Sequence, residues 1–172
     1  TGEPGFEIFV SPDESLGLWD NLMAAGESSG LSPAGLGARD TLRLEMGYAL
    51  YGHELDDDTN GYEARVGWAI KLKSGDFVGR DALAEIKRNR AQRLLVGLEM
   101  IDRGIPRAGY PVLRGGETVG HVTSGTHSPS LGKPIALAML PRDLRKTGAE
   151  VHVEIRGNKR KACVRKFPFY PE

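Results

Sequence analysis

Residues 93–124 read RLLVGLEMIDRGIPRAGYPVLRGGETVGHVTS, and their alternation of apolar runs with turn residues predicts β-structure. Three runs are candidate strands: Leu94–Met100, Val112–Arg114 and Thr118–Ser124. Between the second and the third lies Gly115-Gly116, a dipeptide typical of a two-residue hairpin turn, which needs positive φ at both positions. This stretch therefore predicts antiparallel strands joined by short turns.

The same pattern continues toward the C-terminus. Gly157-Asn158 is a second hairpin signal between two further apolar runs. Six short strands within about 75 residues predict a small antiparallel barrel or sandwich over residues 91–172. The charged stretch Lys87-Arg88-Asn89-Arg90 marks the boundary with residues 1–90. The remaining candidate strands are Ile135–Leu140, Val151–Arg156 and Lys161–Phe167.

The region before this boundary mixes helices with strands, so the whole chain is expected to be α+β. Ser11 followed by Glu14 is a capping-box pattern that predicts a helix start, and the helix should stop near Gly26. A second helix is expected over residues 36–48. The residues expected to face inward are Leu18, Trp19, Leu22 and Met23 on the first helix and Leu42, Met46 and Ala49 on the second. Three further elements are expected: the strands Phe6–Val10 and Val66–Leu72 and the helix Ala82–Arg88.

Composition excludes several classes of protein. The 172 residues include 23 Lys and Arg and 23 Asp and Glu, and this net charge of zero argues against general polyanion binding. A single cysteine, Cys163, excludes a disulfide framework and a Cys-rich zinc site. It lies in an alternating run typical of a buried structural thiol. No run approaches the roughly 18 apolar residues of a membrane span.

The polar clusters predict neither a metal site nor a catalytic triad. The four histidines lack metal-ligand spacing, and the chain has no G-x-S-x-G motif. The acidic residues between Glu54 and Asp58 lack the spacing of a calcium loop, so a solvated loop is expected there. The basic residues between Arg156 and Lys166 could meet an acidic partner or RNA, but a two-stranded hairpin would expose most of these charges in any case.

Two charged residues stand where the pattern disfavours them. Glu7 interrupts an apolar run, and a carboxylate on a covered strand face needs a partner. Arg39 lies near the start of a predicted helix, where the helix dipole favours acidic residues. The two could form a salt bridge, or they could together bind a planar heterocycle with hydrogen-bond donors and acceptors. The pattern alone favours the salt bridge.

Five strings in order along nearly the whole chain are more specific. Together they resemble the C-terminal half of the T-protein (aminomethyltransferase) family of the glycine cleavage system. The strings are TGEPGFEI at residues 1–8, ARDTLRLEMG at 38–47, LYGHEL at 50–55, GW at 67–68 with GDFVG at 75–79, and VTSG with SPSL at 122–125 and 128–131.

The resemblance implies that residues 1–90 are the C-terminal part of the folate-binding region and that residues 91–172 form an antiparallel β-barrel. It implies an enzyme of glycine catabolism and one-carbon metabolism with tetrahydrofolate as co-substrate. An aminomethyl group would pass from the lipoyl arm of the H-protein to tetrahydrofolate, giving methylene-tetrahydrofolate and ammonia. The implied location is the bacterial cytoplasm, or the mitochondrial matrix in a eukaryote.

The resemblance also implies that Glu7 and Arg39 contact the folate, which reverses the preference for a salt bridge. A carboxylate accepts hydrogen bonds from the N–H groups of a pterin edge, whereas a guanidinium donates to carbonyl or carboxylate oxygens. The family's Pro is replaced by Gly61, and its Gly-Leu by Arg65-Val66. The chain begins at Thr1 without Met, so we expect a fragment. The upstream part would hold the family's catalytic Asp, and the fragment alone would be inactive.

Three other functions compete with this one. The first is the folate domain of a sarcosine or dimethylglycine dehydrogenase, which an upstream flavin-binding G-x-G-x-x-G would mark. The second is a folate-binding relative that maintains iron–sulfur enzymes; such relatives carry a cysteine signature in the barrel, whereas Cys163 lies in a plain strand. The third is a structural remnant that docks a partner through its basic hairpin.

Overall fold

A computed structural model of the chain describes residues 1–170. Residues 171 and 172, the last two of the predicted barrel domain, lie outside the described residues. Within residues 1–170, no helix combines the length and the apolar character needed to cross a membrane.

Six antiparallel strands close into a barrel, as predicted. The order around the barrel is β1-β4-β3-β2-β5-β6, and β6 pairs again with β1. All six predicted strands are therefore confirmed, with ends that differ by up to four residues. Their bounds are β1 (Arg93–Met100), β2 (Pro111–Arg114), β3 (Glu117–Ser128), β4 (Lys133–Pro141), β5 (Glu150–Ile155) and β6 (Asn158–Arg165).

The two hairpin turns differ in how well the sequence predicted them. Gly115 and Gly116 have φ of 61° and 95° and join β2 to β3, as expected. Between β5 and β6 the register pairs Ile155 with Asn158, so the turn residues are Arg156 and Gly157. The prediction of Gly157-Asn158 was wrong by one position, because Arg156 takes a left-handed φ of 51° that usually favours Gly or Asn.

Strand alternation sends apolar side chains to both surfaces of the barrel wall. On β1, Val96 and Leu98 belong to the cluster that fills the barrel, whereas Leu95 belongs to a second cluster on the outside. This outer cluster also contains Leu44, from a helix before the barrel, and Phe169, from the segment after it. The barrel therefore presents an apolar outer patch on which the earlier part of the chain packs.

Three helices precede the barrel: α1 (Ser15–Gly26), α2 (Leu36–Glu45) and α3 (Arg80–Asn89). A 3₁₀ turn at Pro12–Glu14 leads into α1. The predicted capping box was wrong, because the Ser11 hydroxyl donates to the Glu14 carboxylate at 2.6 Å and makes no bond to a backbone N–H. The predicted inward face of α1 was also wrong, since no residue of this helix is buried.

The two strands predicted before the barrel were also wrong. Residues 6–10 form no regular secondary structure and pair with no other segment among residues 1–170, and Phe6 is 99% exposed. The region 66–72 instead folds into tight turns, including a 3₁₀ turn at Gly67–Ala69. Its backbone groups bond locally, for example Ile70 N–H to the Gly67 carbonyl at 3.2 Å. Apolar composition alone does not make a strand without a neighbouring strand to share its hydrogen bonds.

Helix α2 ends at Glu45, three residues before the predicted end, and it turns a different face inward. The predicted stripe began at Leu42, which is exposed, whereas Arg43, Leu44 and Glu45 are buried. Periodicity misassigned this helix because two of its three buried residues are charged, and an apolar stripe cannot reveal them.

Candidate functional site

The structure leaves both predicted site residues exposed. Glu7 lies in the segment 6–10, which has no regular secondary structure, and Arg39 lies in the first turn of α2. No hydrogen bond or ion pair joins them in the described part of the chain. The salt bridge that the residue pattern favoured is therefore absent from this structure, and both groups stay accessible to a ligand.

One turn beyond Arg39 on the same helix, Arg43 is buried and ties α2 to the barrel. Its guanidinium donates to Asp40 Oδ1 at 2.7 Å and to the Tyr48 carbonyl at 3.2 Å. It also donates to Glu54 Oε2 and to Ser124 Oγ, both at 2.7 Å. Because Ser124 is on β3, one buried side chain fixes the helix, the following loop and the barrel wall relative to one another.

Glu54 is the central acceptor of this network, and it corrects the prediction of a wholly solvated acidic loop. Its side chain is 1% exposed, whereas Asp56, Asp57 and Asp58 are exposed as expected. Glu54 accepts bonds from Arg43, from the Ser124 hydroxyl at 2.6 Å and from the Leu50 backbone N–H at 3.0 Å. A carboxyl group buried this deeply is tolerated because its oxygens are fully used.

A second buried carboxyl group, Glu45, ties the end of α2 to the turn between β3 and β4. It accepts bonds from the hydroxyl groups of Ser128 and Ser130, the latter at 2.8 Å. Its backbone carbonyl accepts the Phe169 N–H at 2.7 Å. The C-terminal end of α2 is therefore held by two buried side chains, those of Arg43 and Glu45.

These contacts explain why several of the strings quoted above occur together. The ARDTLRLEMG string supplies Arg43 and Glu45, LYGHEL supplies Glu54, VTSG supplies Ser124, and SPSL supplies Ser128. Sequence reasoning missed this convergence, because the residues are up to 85 positions apart. The available signal was the charge of the ARDTLRLEMG string, in which four of ten residues are charged although the helix was expected to pack through an apolar stripe.

A cavity of about 590 Å³ opens beside the end of α2. Its walls include three aromatic side chains, those of Tyr48, Trp68 and Phe167, and the guanidinium of Arg65 lies 5.0 Å from the centroid of the Phe167 ring. Gly2 packs against Met46 at the same cavity, so the N-terminal segment that carries Glu7 passes near its rim. Aromatic walls with a few polar groups suit a planar organic ligand.

The segment between α2 and α3 is joined to the barrel by an ion pair. Arg93, on β1, donates to Glu63 at 2.9 Å, and this bond raises the pKa of Arg93. A hydrogen bond from Thr59 lowers the pKa of the exposed Asp56 carboxyl group.

Within residues 1–170, no cluster of three or more His, Cys, Asp or Glu side chains could hold a metal ion.

The other two candidates from the sequence, Cys163 and the basic hairpin, make contacts that indicate structural roles. Burial, with a smaller contribution from Glu99, raises the pKa of the Cys163 thiol, which disfavours the reactive thiolate. On the basic hairpin, Lys161 pairs with Glu150 at 2.7 Å. Arg165 approaches Glu99 at 3.4 Å. Part of the positive charge of this hairpin is therefore neutralised within the barrel.

Comparison with known proteins connects this geometry to a family. Residues 93–171 match the glycine cleavage T-protein C-terminal barrel domain, and residues 1–74 match the GCVT N-terminal domain. The chain is 57% identical over 171 residues to an aminomethyltransferase of Symbiobacterium thermophilum and 50% identical to that of Bacillus subtilis, and it covers 46% and 47% of these two proteins.

A solved structure of the same family has a similar fold. The crystal structure of glycine cleavage system aminomethyltransferase T from Bartonella henselae superimposes with a TM-score of 0.83 at 33% identity, over 90% of this chain and 43% of that one. The chain thus spans about half the length of the relatives it matches. It belongs to the glycine cleavage T-protein family, the aminomethyltransferases, and corresponds to the C-terminal part of its members.

Proposed function

We propose that this chain is the C-terminal part of an enzyme that transfers an aminomethyl group from the lipoyl arm of the H-protein to tetrahydrofolate, with release of ammonia. The observation that carries the proposal is the identity of 57% and 50% to two aminomethyltransferases over 99% of the chain. Because those relatives are about twice as long, the reaction is proposed for a protein of their full length.

The two residues proposed to contact tetrahydrofolate are Glu7 and Arg39. Both are exposed, and neither has a hydrogen-bond or ion-pair partner among residues 1–170, so their bonding capacity is available to a ligand. The Glu7 carboxylate would accept hydrogen bonds from N–H groups at the edge of the pterin ring. Arg39 would donate to a carbonyl or carboxylate oxygen of the same ligand. These residues fit a molecule that has both kinds of group.

The buried network supports this assignment by holding Arg39 in place. Arg39 and Arg43 are four residues apart on α2, so they lie on the same side of the helix. Arg43 is fixed by four protein groups, and the helix beneath Arg39 is correspondingly rigid. The aromatic cavity beside the end of α2 is available for the flat, less polar part of a ligand.

Tetrahydrofolate would supply the nucleophilic nitrogen that accepts the transferred carbon, while this chain binds and orients it. The acid–base group is expected from the part of the relatives that this chain does not cover. A partner that carries a lipoyl arm, the H-protein, would deliver the aminomethyl group. The relatives are bacterial, which supports a cytoplasmic location for this reaction.

The test is ammonia release from aminomethyl-loaded lipoyl H-protein, with and without tetrahydrofolate, by a protein of the relatives' full length that contains this chain. We expect release to depend on tetrahydrofolate. Glu7→Gln and Arg39→Gln should each raise the KM for tetrahydrofolate by roughly ten- to a hundredfold, because each removes a charged hydrogen bond to the ligand.

The matched controls are Glu3→Gln, four residues before Glu7, and Arg88→Gln, on the exposed face of α3. Both change charge in the same way and should leave KM unchanged. Release without folate dependence would overturn the proposed reaction. An unchanged KM in Glu7→Gln and Arg39→Gln, with folate-dependent release intact, would overturn only the assignment of these two residues.

No observation on this chain favours the alternative of iron–sulfur enzyme maintenance. The cysteine of the barrel lies in β6, and burial raises its pKa. The same assay separates the two functions, because a relative that binds tetrahydrofolate without releasing ammonia would fit the alternative.

A further inference from the structure

One end of the barrel carries a concave surface lined by four arginines. A cavity of about 390 Å³ lies there, between the loop from β1 to β2 and the hairpin turn from β5 to β6. Arg103 and Arg107 come from the loop, whereas Arg156 and Arg160 come from the hairpin. We refer to these four residues as the arginine pocket.

The loop on one side of the arginine pocket is held in place at both ends. The backbone N–H groups of Ile101 and Asp102 donate to the Lys161 carbonyl at 2.8 and 3.0 Å, and the Asp102 carboxylate accepts the Lys161 N–H at 2.7 Å. At the other end, Gly109 N–H donates to the Val122 carbonyl at 2.8 Å. Gly104 packs against Ile155, so the loop and the hairpin are in contact. The pocket is therefore formed before any ligand arrives.

Positive charge in the pocket is not neutralised by the protein. No carboxylate lines the cavity, and none of its four arginines forms an ion pair within residues 1–170. Asp102, next to Arg103 in the sequence, is not among the residues that line the cavity, and its carboxylate accepts the Lys161 backbone N–H. In the described part of the chain, the Arg107 guanidinium donates to the Gly125 carbonyl at 3.3 Å and to no carboxylate. Four guanidinium groups around one concave surface raise the local potential although the whole chain has no net charge.

The hairpin also places an arginine where the backbone disfavours one. Arg156 occupies the first position of the turn with φ of 51°, a left-handed conformation that suits Gly or Asn better. Its carbonyl accepts a bond from Asn158 Nδ2 at 3.1 Å, which fixes the turn. The side chain of Arg156 therefore lines the cavity from a backbone position that does not require an arginine.

From this geometry we propose that the arginine pocket is a binding site for a ligand with two or more closely spaced oxyanion groups. Guanidinium forks bind phosphate and carboxylate oxygens in pairs. A cavity of about 390 Å³ with four such forks is larger than one phosphate group requires. The inference does not depend on the proposed reaction, because it uses different residues from Glu7 and Arg39.

The test is titration of the full chain with pyrophosphate and, in a separate arm, with triglutamate, by isothermal calorimetry at low and high salt. Binding of either probe, weakened by salt, is expected; the stronger of the two identifies phosphate or carboxylate as the preferred group. Arg160→Gln and Arg156→Asn should each weaken binding by roughly tenfold or more, since each removes a charged hydrogen bond.

Two controls keep the result specific. Arg114→Gln removes one exposed positive charge at the opposite end of the barrel, next to the Gly115-Gly116 turn, and should leave binding unchanged. Asn adopts the left-handed backbone conformation of position 156 at a lower cost than Arg. The Arg156→Asn variant should therefore be at least as stable to heat as the unmodified chain, while it binds the probe more weakly. Binding of neither probe, or equal weakening by Arg114→Gln and Arg160→Gln, would overturn the proposal.

Discussion

Arg43 and Glu54 are the two residues whose removal should matter most to the stability of the chain. Both are buried, and their side chains meet at 2.7 Å with Ser124 as a shared neighbour. A buried pair of this kind adds little to stability when it is compared with apolar residues of the same size. Removing one partner is different, because the remaining group then stays buried without compensation.

We therefore expect Arg43→Met to lower the free energy of unfolding by about 3–5 kcal/mol, because Glu54 would lose the one cationic partner it has among residues 1–170. Arg80→Met is the matched control. Arg80 pairs with the exposed Asp81 and donates to the Leu72 carbonyl at 3.0 Å, and loss of both contacts should cost about 1–2 kcal/mol. Chemical denaturation of both variants measures the difference.

The double variant Arg43→Met/Glu54→Leu separates the two contributions. It should be more stable than Arg43→Met alone, because no uncompensated carboxyl group remains buried. An equal loss of unfolding free energy in Arg43→Met and Arg80→Met would show that the buried network around Arg43 does not stabilise the fold.

Among the elements, the six strands of the barrel and the three helices before it were predictable from sequence, whereas the two strands predicted before the barrel were not formed. Strands β1 to β6 carry β-branched and apolar runs bounded by glycine turns, and each pairs with a neighbour that the pattern also predicts. Residues 6–10 have the same composition but no neighbour among residues 1–170, so their hydrogen bonds are not met by a sheet. Composition reports a tendency to form a strand, and pairing decides whether it does.

Helix α2 shows what the sequence could and could not say about the candidate site. The residue pattern and the family resemblance single out Glu7 and Arg39, and their contact with a ligand stays a prediction. The network around Arg43 was not predictable, since it joins α2 to Glu54 and to Ser124 on β3. No periodicity within one helix contains information about partners 81 residues away.

Gly97, in the middle of β1, gives a prediction at the level of a strand. A Cβ atom at this position would lie 2.7 Å from the Phe169 ring and 2.8 Å from the Arg165 carbonyl oxygen. Gly97→Ala should therefore lower the free energy of unfolding by about 1–3 kcal/mol, because it forces Phe169 off the outer face of the barrel. Thermal and chemical denaturation measure the effect.

Gly37→Ala is its control, because Gly37 lies in α2 with no atom near its Cβ position. Alanine is the better helix former by about 1 kcal/mol, so this variant should be neutral or stabilised. Equal losses in the two variants would show that Gly97 is not a site of close packing.

At the scale of the whole molecule, stability is unevenly distributed. The core cluster of the barrel interior contains 13 buried residues, all from the barrel region. By contrast, α1 has no buried residue, and a 12-residue helix that packing does not support is marginal in water. Large apolar side chains are exposed along the early part of the chain, including Phe9, Leu16, Leu36, Trp68 and Val78.

Hydrogen exchange should reveal this division directly. We expect the backbone amides of α1 to exchange before those of β1, β3 and β4, because α1 can open without disturbing any buried cluster. Amides of α2 should be intermediate, since Arg43 and Glu45 anchor this helix to β3 and to the turn that follows it. In Arg43→Met, α2 should lose protection while β1 keeps it.

The same measurement on a protein of the relatives' full length tests what the exposed apolar residues are for. If further chain packs on them, the amides of α1 should become more protected while those of the barrel change little, because the barrel core is already complete. Equal protection of α1 and β1 in the present chain would contradict the division proposed here. It would require α1 to be stabilised by something other than burial, since none of its residues is buried.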